Sequence, residues 1–369
     1  MWKYLLLIEP GAPFISILDR RPREKTSERE KPMNVLVTGG AGYIGSQTAK
    51  TLAGNHYRPI VVDDLSTGHA RNVRWGTLVR ANLSDTAAVR NILKEHKIES
   101  VVHFAGSALL GESVARPLAY FQNNVGGTLS LLQAMLDTGV KDIVFSSTCA
   151  TYGLPQTVPI TEDERQKPIN PYGESKLAIE RILEWMGQAR QLRWVALRYF
   201  NAAGADLEGE LGEEHQQETH LIPLAIGAAL RQRERLQIFG TDYPTPDGTA
   251  VRDYIHVADL ASAHICALQY LNRGGASRAF NLGTGKGASV REVVAMVQTV
   301  SGQTVPSVEA PRRPGDPPVL VASPKLAREL LQWEPYYSSL ESIVESAWRW
   351  HSGSSSRTDL QTSTSKISS

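Results

Sequence analysis

A glycine-rich turn between a strand and a helix is the feature that most restricts the fold of this chain. A β-rich run over 34–38 leads directly into the turn, whose glycines at 40, 42 and 45 follow the Gly-x-Gly-x-x-Gly spacing. A helix is predicted over 46–53, and a second strand over 58–62 ends at Asp63. The order strand, glycine turn, helix, strand and acid predicts a parallel sheet that binds a dinucleotide.

The chemistry of this turn indicates which dinucleotide binds. Glycines let backbone N–H groups and a helix N-terminus approach a pyrophosphate. Asp63 lies 18 residues after Gly45, where an acid accepts from the adenosine ribose hydroxyls. Its charge would repel a 2′-phosphate, so NAD is favoured over NADP. The alternative is a glycine turn that holds no ligand.

The strand and helix alternation continues beyond this unit. A buried strand over 100–106 ends in a glycine loop, a helix is predicted over 118–138, and a strand over 141–147 ends in hydroxyl side chains. Ligands gather at the carboxyl ends of parallel strands. Ser146, Ser147 and Thr148 are therefore expected to lie at the site and to hydrogen-bond a substrate hydroxyl, unless they merely end a strand.

A Tyr-x-x-x-Lys pair supplies a candidate general base. Asn170 can cap a helix that begins at Pro171 and runs to about Gly187, which places Tyr172 and Lys176 one turn apart. An ammonium beside a phenol stabilises the phenolate, so the pKa of Tyr172 is expected to fall below about 10. By itself the pair is a weak signal, because most chance occurrences of this spacing belong to a solvated helix face.

Composition excludes several classes of partner. The 39 basic and 38 acidic side chains give a net charge of +1, which favours neither nucleic acid nor an acidic membrane surface. The sequence contains no run of about 18 uncharged apolar residues, so no membrane span is predicted. The two cysteines, Cys149 and Cys266, indicate a reducing, cytoplasmic setting. His103, His220 and His256 are dispersed with no carboxylate at ligand spacing, so no metal site is predicted.

Motifs along nearly all of residues 33–350 resemble the extended short-chain dehydrogenase/reductase family, specifically its branch that acts at C4 of UDP-sugars. The stretches that carry the resemblance are 37–46, His103 to Gly106 with 111–114, 123–128, Arg198-Tyr199-Phe200-Asn201, 239–245 with 247–249, Arg252-Asp253-Tyr254-Ile255-His256-Val257 and 311–316. The implied fold is a Rossmann-like, doubly wound α/β sheet with a smaller mixed α/β substrate domain.

The resemblance also implies roles for individual residues. The catalytic residues are Thr148, Tyr172 and Lys176, which also contact the cofactor. Further cofactor contacts are Gly39, Gly42, Tyr43, Ile44, Gly45, Asp63, Asp64, Asn82, Leu83, Phe104, Ala105, Gly106, Asn123 and Phe200. Substrate contacts, besides Thr148 and Tyr172, are Asn201, Leu221, Phe239, Arg252, Arg313 and Asp316. Pyrophosphate suits the forked guanidinium groups of Arg252 and Arg313, although Arg312 could take the second role.

The implied reaction is reversible epimerisation of UDP-glucose and UDP-galactose at C4 through a 4-keto intermediate, with transient hydride transfer to tightly bound NAD. Asn82 stands where relatives often have Asp, which leaves the adenine contact uncharged. Leu320 stands at a position thought to admit or exclude N-acetylated sugars, and that question stays open. Rival readings are a sugar-nucleotide dehydratase, whose acid pair is replaced here by Cys149 and Ala150, a UDP-glucuronate decarboxylase, and a non-catalytic NAD-sensing protein.

The predicted organisation has four parts. Residues 1–32 form a flexible extension, with Met33 a candidate true start, and 352–369 form a disordered tail. The NAD-binding domain covers 33–201, with 252–270 returning to it, and the nucleotide-sugar domain covers 202–351. As in relatives, the helices over 118–138 and 172–189 could pair across a two-fold axis to form a homodimer, although their apolar stripes equally suit packing on the sheet.

Overall fold

Fourteen strands and ten α-helices are present in the computed structural model, which describes residues 31–313 and 315–364, without the side chains of 354–364. The strands are β1 Met33–Thr38, β2 Tyr57–Asp63, β3 Thr77–Arg80, β4 Ser100–His103, β5 Asp142–Thr148, β6 Arg193–Tyr199, β7 Asn201–Ala203, β8 Leu236–Phe239, β9 Val251–Arg252, β10 Tyr254–His256, β11 Arg278–Leu282, β12 Ala288–Ser289, β13 Ser307–Ala310 and β14 Val319–Leu320. The α-helices are α1 Tyr43–Gly54, α2 Thr86–Glu95, α3 Leu110–Ala115, α4 Pro117–Tyr120, α5 Gly127–Thr138, α6 Pro171–Gln188, α7 Leu221–Ala229, α8 Val257–Asn272, α9 Val290–Ser301 and α10 Leu340–Thr364.

A seven-stranded parallel sheet organises the molecule. Its order is β11-β6-β5-β4-β1-β2-β3, so the direction of winding reverses between β1 and β4. Thr38 at the end of β1 pairs with Val62 on one side and with His103 on the other. Such a reversal opens a crevice beyond the carboxyl ends of the strands, and the glycine turn lies beside it. The predicted doubly wound α/β fold is confirmed.

Helices cover both faces of this sheet because its strands are apolar on both sides. Val35 and Val37 face one core, which includes Leu52 of α1 and Leu268 of α8. Leu36 between them faces the other core, which takes residues from α2, α5 and α6. Strands buried on both faces are typical of parallel sheets, and this explains the continuous apolar runs in the sequence.

Three small sheets follow in the second half of the chain. Their strand orders are β10-β7, β12-β9-β14 and β13-β8. A third core joins helices α7, α9 and α10. Strand β11 belongs to the main sheet, and both β11 and helix α8 contribute residues to the first core. Both elements nevertheless come from the second half of the sequence. The domain boundary near residue 201 stays a prediction.

The helical region over 117–138 differs from a simple α-helix. Between α4 and α5, residues Phe121–Gly126 form a π-helical segment. Segments of this kind are frequent at functional sites, and this one carries the predicted cofactor contact Asn123. Short 3₁₀ turns occur at Ala70–Asn72 and Cys149–Thr151, and a second π segment covers Ala327–Leu331.

The two ends of the chain were predicted to lack structure. Residues 1–30 and 365–369 lie outside the described residues, so most of the predicted N-terminal extension is not described. Helix α10 runs to Thr364, within the stretch that was predicted to be disordered. Within the described part of the chain, no helix has the length and apolar character needed to cross a membrane.

Candidate active site

The glycine turn brings β1, α1 and the loop after β4 together. Gly39 has a φ of +70°, and a Cβ on it would lie 2.6 Å from the backbone nitrogen of Ala105. A Cβ on Gly45 would lie 2.3 Å from the carbonyl oxygen of Gly39. Only glycine allows both approaches, so these two positions of the turn require glycine.

The start of α1 fits a pyrophosphate. Gly42 is its N-cap and provides no side-chain hydrogen bond, and no acidic residue lies in the first turn. The first backbone N–H groups of a helix have no partner within the helix, so they can bind an anion. Tyr43 donates a 2.5 Å hydrogen bond to the carbonyl oxygen of Gly204, and Ile44 packs against the first core. These residues fit the dinucleotide predicted from the sequence.

The acid at the end of β2 lies beside the same turn. Asp63 accepts hydrogen bonds from the backbone N–H groups of Ala41 at 3.0 Å and Leu65 at 2.9 Å. Asp64 accepts from the side-chain amide of Asn82 at 2.9 Å, while Leu83 is buried in the second core. The backbone therefore orients Asp63 at the position expected for a contact with the ribose.

The loop after β4 connects the glycine turn with the catalytic helix. Phe104 and Ala105 lie against Gly39, and a Cβ on Gly106 would lie 3.7 Å from Nζ of Lys176. Asn123, on the π segment, donates a 3.0 Å hydrogen bond to the hydroxyl of Ser107. The structure thus brings the predicted cofactor contacts of this loop next to the predicted catalytic lysine.

Helix α6 begins as the sequence predicted. The side chain of Asn170 accepts a 2.9 Å hydrogen bond from the N–H of Gly173, and Pro171 occupies the first helical position. Tyr172 and Lys176 then lie one turn apart, with Nζ of Lys176 6.0 Å from the centre of the Tyr172 ring. Lys176 is 4 % exposed and donates a 2.9 Å hydrogen bond to the carbonyl oxygen of Ser146 on β5.

The acidity of this group differs from the expectation. Burial, and then the neighbouring Tyr199, raise the pKa of Tyr172 above its ordinary value, although a hydrogen bond with Thr148 lowers it. Burial also lowers the pKa of Lys176 to about 8. In the protein without a cofactor, the expectation that Lys176 lowers the pKa of Tyr172 is therefore wrong. Desolvation disfavours both the phenolate of Tyr172 and the ammonium of Lys176. A further positive charge at the site would favour the phenolate.

The predicted substrate contacts lie on the second half of the chain. Arg252 forms an ion pair with Asp316, and the guanidinium of Arg313 lies 4.1 Å from the centre of the Phe239 ring. Arg312 instead pairs with Asp242 at 2.6 Å, so it is engaged elsewhere. Four of the six predicted contacts therefore form two touching pairs.

The two remaining predicted substrate contacts, Leu221 and Asn201, are the first residues of secondary-structure elements. Leu221 is the first residue of α7, whose N-cap His220 makes no side-chain capping hydrogen bond, so its first N–H groups can meet a phosphate. Asn201 begins β7 and donates its backbone N–H to the carbonyl oxygen of Asp253. Phe200 is buried beside Cys149 and Leu320.

Comparison with known proteins identifies the family of this chain. The model of the NAD-dependent epimerase/dehydratase family matches residues 35–283. The chain belongs to this family. It is 51 % identical to a UDP-glucose 4-epimerase of Halalkalibacterium halodurans, over 86 % of this chain and 96 % of the relative.

Solved structures of family members have the same fold. A UDP-glucose 4-epimerase from Brucella ovis in complex with NAD is 52 % identical, with a TM-score of 0.84 over 86 % of this chain and 97 % of the other. A UDP-glucose 4-epimerase from Bifidobacterium longum in complex with NAD⁺ and UDP is 37 % identical, with a TM-score of 0.83 over 87 % and 98 % of the two chains.

Two of the three hydroxyl side chains at the end of β5 form hydrogen bonds with other side chains of this protein. The hydroxyl of Ser146 is hydrogen-bonded to that of Tyr199, and the hydroxyl of Ser147 donates to Glu180. For these two serines, a contact with a substrate hydroxyl stays a prediction, because each hydroxyl already has a partner within the protein. The hydroxyl of Thr148 caps the following 3₁₀ turn and contacts Tyr172, which keeps it at the site.

Sequence reasoning missed a buried polar network behind the catalytic helix. Glu180, on α6 one turn after Lys176, pairs with Arg198 at 2.6 Å, and Arg198 donates a 2.8 Å hydrogen bond to Tyr152. The i, i+4 spacing of Lys176 and Glu180 was visible in the sequence, but their partners on other elements were not. The network fixes α6 against β5 and β6.

A second missed residue is Asn124. Its side-chain oxygen accepts a 2.8 Å hydrogen bond from the N–H of Ser107, and its amide donates to the hydroxyl of Ser175 at 3.0 Å. It therefore links the loop after β4, the π segment and α6. The Asn123-Asn124 doublet was a signal for this link, but only its first residue was assigned a role.

The histidines divide into two groups. His103 lies between the hydroxyls of Thr38 and Thr128, at 2.7 and 2.8 Å, and His256 caps α8, so both have the structural partners that were expected. The expectation that His220 has no nearby carboxylate is wrong, because an irregular loop brings Glu213 and Glu218 to it. Irregular loops have no periodicity from which such contacts can be predicted.

Proposed function

We propose that this protein interconverts UDP-glucose and UDP-galactose at C4, with NAD as its bound cofactor. The observation that carries the proposal is the convergence of Thr148, Tyr172 and Lys176 beside the glycine turn of a doubly wound sheet. The relatives that cover nearly the whole of this chain act on the same sugar nucleotide. The overall reaction is redox-neutral, since a hydride leaves C4 and returns to it.

Each catalytic residue has a distinct task in this proposal. NAD, when bound, accepts the hydride from C4 and returns it. Tyr172 removes the proton of the 4′-hydroxyl and returns it to the 4-keto sugar, while Thr148 orients that hydroxyl. Lys176 places its positive charge near the Tyr172 ring, because its hydrogen bond to Ser146 holds it at the end of β5. These tasks require the sugar to present both faces of C4 to one base.

The second half of the chain would hold the nucleotide. The N-terminus of α7 at Leu221 and the guanidinium of Arg252 offer N–H donors for a pyrophosphate. The stacked pair of Phe239 and Arg313 offers a flat surface for the uracil ring. Asn201 and Asp316 complete the proposed contacts. A pyrophosphate fixed in this way can act as the pivot about which the sugar turns.

Features of the same site disfavour the rival reactions. A dehydratase needs an acid pair after the strand-end threonine, and Thr148 is followed here by Cys149 and Ala150. Burial raises the pKa of the Cys149 thiol to about 12, so it does not replace a carboxylate as an acid or base. Leu320 packs beside Phe200 at the edge of the site, and acceptance of N-acetylated sugars is left to measurement.

One assay tests the proposal directly. Purified protein is incubated with UDP-galactose without added cofactor, and UDP-glucose is measured by chromatography. Formation of UDP-glucose is the expected result, and it also requires NAD to be retained through purification. A folded protein that forms none, even with added NAD, would contradict the proposal, and turnover of UDP-glucuronate or formation of a 6-deoxy sugar would support a rival.

We also propose that the protein forms a homodimer through helices α4, α5 and α6. Exposed apolar side chains lie on these elements, including Leu118 at 68 %, Leu129 at 49 % and Trp185 at 71 % exposure. A second copy of the same surface would bury them, as expected for a two-fold interface. Sedimentation should give a dimer for the protein and a monomer for a Leu129→Glu, Trp185→Glu variant. A monomeric wild-type protein would contradict this proposal.

A cytoplasmic location is proposed on the basis of the thiols. Cys149 and Cys266 are free, and neither is paired in the described part of the chain. Free, partly buried thiols suit a reducing compartment. Division into an NAD-binding domain over 33–201 and a nucleotide-sugar domain over 202–351 is likewise proposed, since the two sets of predicted contacts divide near this boundary.

A further inference from the structure

Four metal-ligating side chains converge in the loop between β7 and α7. The loop carries the sequence Glu-x-His-x-x-Glu-x-His, formed by Glu213, His215, Glu218 and His220. Each contributes one nitrogen or carboxylate oxygen, and these four atoms lie within 4.8 Å of one another. Imidazole nitrogens and carboxylate oxygens are the ligands that Zn²⁺ accepts in proteins. None of the four takes part in the proposed reaction.

The spacing of these atoms is close to that of a tetrahedral site. Nδ1 of His215 lies 3.2 Å from Oε1 of Glu213 and 3.5 Å from Oε2 of Glu218. Nδ1 of His220 lies 3.3 Å from Oε1 of Glu218 and 2.5 Å from Oε1 of Glu213. Ligands about 2.1 Å from a tetrahedral Zn²⁺ are roughly 3.4 Å apart. The distance from His215 to Glu213 and the distance from each histidine to one oxygen of Glu218 are close to this value.

A buried carboxylate at the base of the cluster gives an independent indication of a cation. Glu213 is 3 % exposed, and its Oε1 accepts no hydrogen bond of acceptable geometry, although both imidazoles approach it. A buried carboxylate is costly unless a positive charge compensates it. Within the cluster, that charge comes from protonated histidines or from a metal ion.

We propose that Glu213, His215, Glu218 and His220 bind one Zn²⁺ ion. Two carboxylates balance the double charge of the ion, and two imidazoles complete a four-coordinate site. The side chains of His215 and His220 are 34 % and 48 % exposed, so the ion can enter from solvent, and His220 can rotate to relieve its short contact with Glu213. The site is closed by four protein ligands, as in structural zinc sites.

Protons compete with the ion for this cluster. Contacts with Glu213 and then Glu218 raise the pKa of His215 to about 9. Burial lowers the pKa of His220, but the same two carboxylates outweigh it and raise this pKa to about 10. Tyr43 and His351 face Glu213 and Glu218 from other segments, and Glu214, within the same loop, faces His351. The ion must therefore displace protons from the histidines, and its affinity must fall as the pH falls.

The position of the site indicates what the ion would do. His220 directly precedes Leu221, so a bound ion would fix the start of α7 relative to the buried Glu213. The metal would act as a clip for the loop over 213–220 and would not take part in the chemistry at C4. The proposal does not depend on the proposed function.

Calorimetry with Zn²⁺ tests the site on the full, tag-free chain after removal of metals by a chelator. The protein should bind one equivalent, and repeating the titration in buffers of different ionisation enthalpy should show that binding releases protons. Co²⁺ should give the visible absorption of a tetrahedral N/O site, and Zn²⁺ should remove it.

Variants separate this site from incidental binding. Glu213→Gln and His215→Ala should each weaken Zn²⁺ binding at least about tenfold. His56→Asn, which changes an exposed histidine outside the cluster, should bind as the wild-type protein does. If Glu213→Gln does not fold, the solvent-accessible His215→Ala decides the test. Absence of binding by the wild-type protein, or equal binding by His215→Ala, would overturn the proposal.

Discussion

Nζ of Lys176 donates a 2.9 Å hydrogen bond to the carbonyl oxygen of Ser146, which ties the catalytic helix to the end of the neighbouring strand. Lys176 is therefore held by the sheet and not only by its own helix. Its ammonium lies 6.0 Å from the centre of the Tyr172 ring, on the side of the sheet where the glycine turn begins α1. Burial nevertheless raises the pKa of Tyr172, so its phenolate would need a further positive charge at the site.

Replacement of Tyr172 by Phe tests the assignment of the base. Removing the phenolic oxygen should lower turnover by about 10²- to 10⁴-fold, the usual contribution of a positioned general base. Retention of NAD and binding of UDP should persist, because the ring and the helix are unchanged. Tyr336→Phe is a suitable control, since Tyr336 is 74 % exposed and lies outside the site. Near-normal turnover of Tyr172→Phe would exclude this base.

Replacement of Lys176 by Met should separate stability from activity. Burial lowers the pKa of Lys176 from 10.5 to about 8, so the folded state is penalised for holding the charge. The unfolded state binds the extra proton between pH 8 and 10.5, and the stability of the wild-type protein therefore rises over that interval. Lys176→Met lacks the penalty and should be more stable at pH 7 by roughly 1–3 kcal/mol, yet nearly inactive.

Urea unfolding at several pH values measures this difference. The advantage of Lys176→Met should shrink as the pH rises from 8 towards 10.5, because the wild-type lysine then loses its charge in the folded state and no longer carries the desolvation penalty. A difference that does not change with pH, or a variant less stable at pH 7, would mean that the hydrogen bond to Ser146 outweighs desolvation.

Local patterns predicted the first half of the fold well, for identifiable reasons. The capped helix from Pro171 to Gln188 follows from Asn170 and Pro171, and the turn between β1 and α1 follows from its glycines. Contacts between distant segments were not predictable in the same way. The pairing of Glu180 with Arg198 depends on tertiary packing, which a single sequence does not specify.

The prediction that the pKa of Tyr172 is lowered was wrong for a related reason. Sequence spacing gave the neighbouring Lys176 correctly, but the pKa depends on desolvation, which comes from every element packed around the pair. The π segment at Phe121–Gly126 was also missed, because its residues have the same apolar periodicity as the helices on either side.

Two glycines of α1 offer a matched test of the cofactor turn. A Cβ on Gly45 would lie 2.3 Å from the carbonyl oxygen of Gly39, whereas a Cβ on Gly54 would meet nothing within 4 Å. Gly45→Ala should force the turn open, lower stability by about 1–3 kcal/mol and reduce the NAD retained on purification. Gly54→Ala should retain NAD fully. Equal NAD content in the two variants would contradict a cofactor role for the turn.

Removal of Glu180 should be costly because it leaves a buried guanidinium without its carboxylate. The side chains of Glu180 and Arg198 are 6 % and 8 % exposed, and they pair at 2.6 Å. Breaking such a pair from one side costs about 3–5 kcal/mol. Glu180→Ala should lower the free energy of unfolding by this amount, measured with urea at pH 7.

An exposed ion pair gives the control for this variant. Arg291 and Glu309 pair at 2.7 Å with side chains 45 % and 62 % exposed, so Glu309→Gln should change stability by no more than about 0.5 kcal/mol. Glu180 also raises the pKa of Lys176, so its removal should move the alkaline limit of activity to lower pH. A loss of stability with an unchanged pH profile would restrict Glu180 to a structural role, whereas a shifted profile would identify it as the residue that keeps Lys176 charged beside Tyr172.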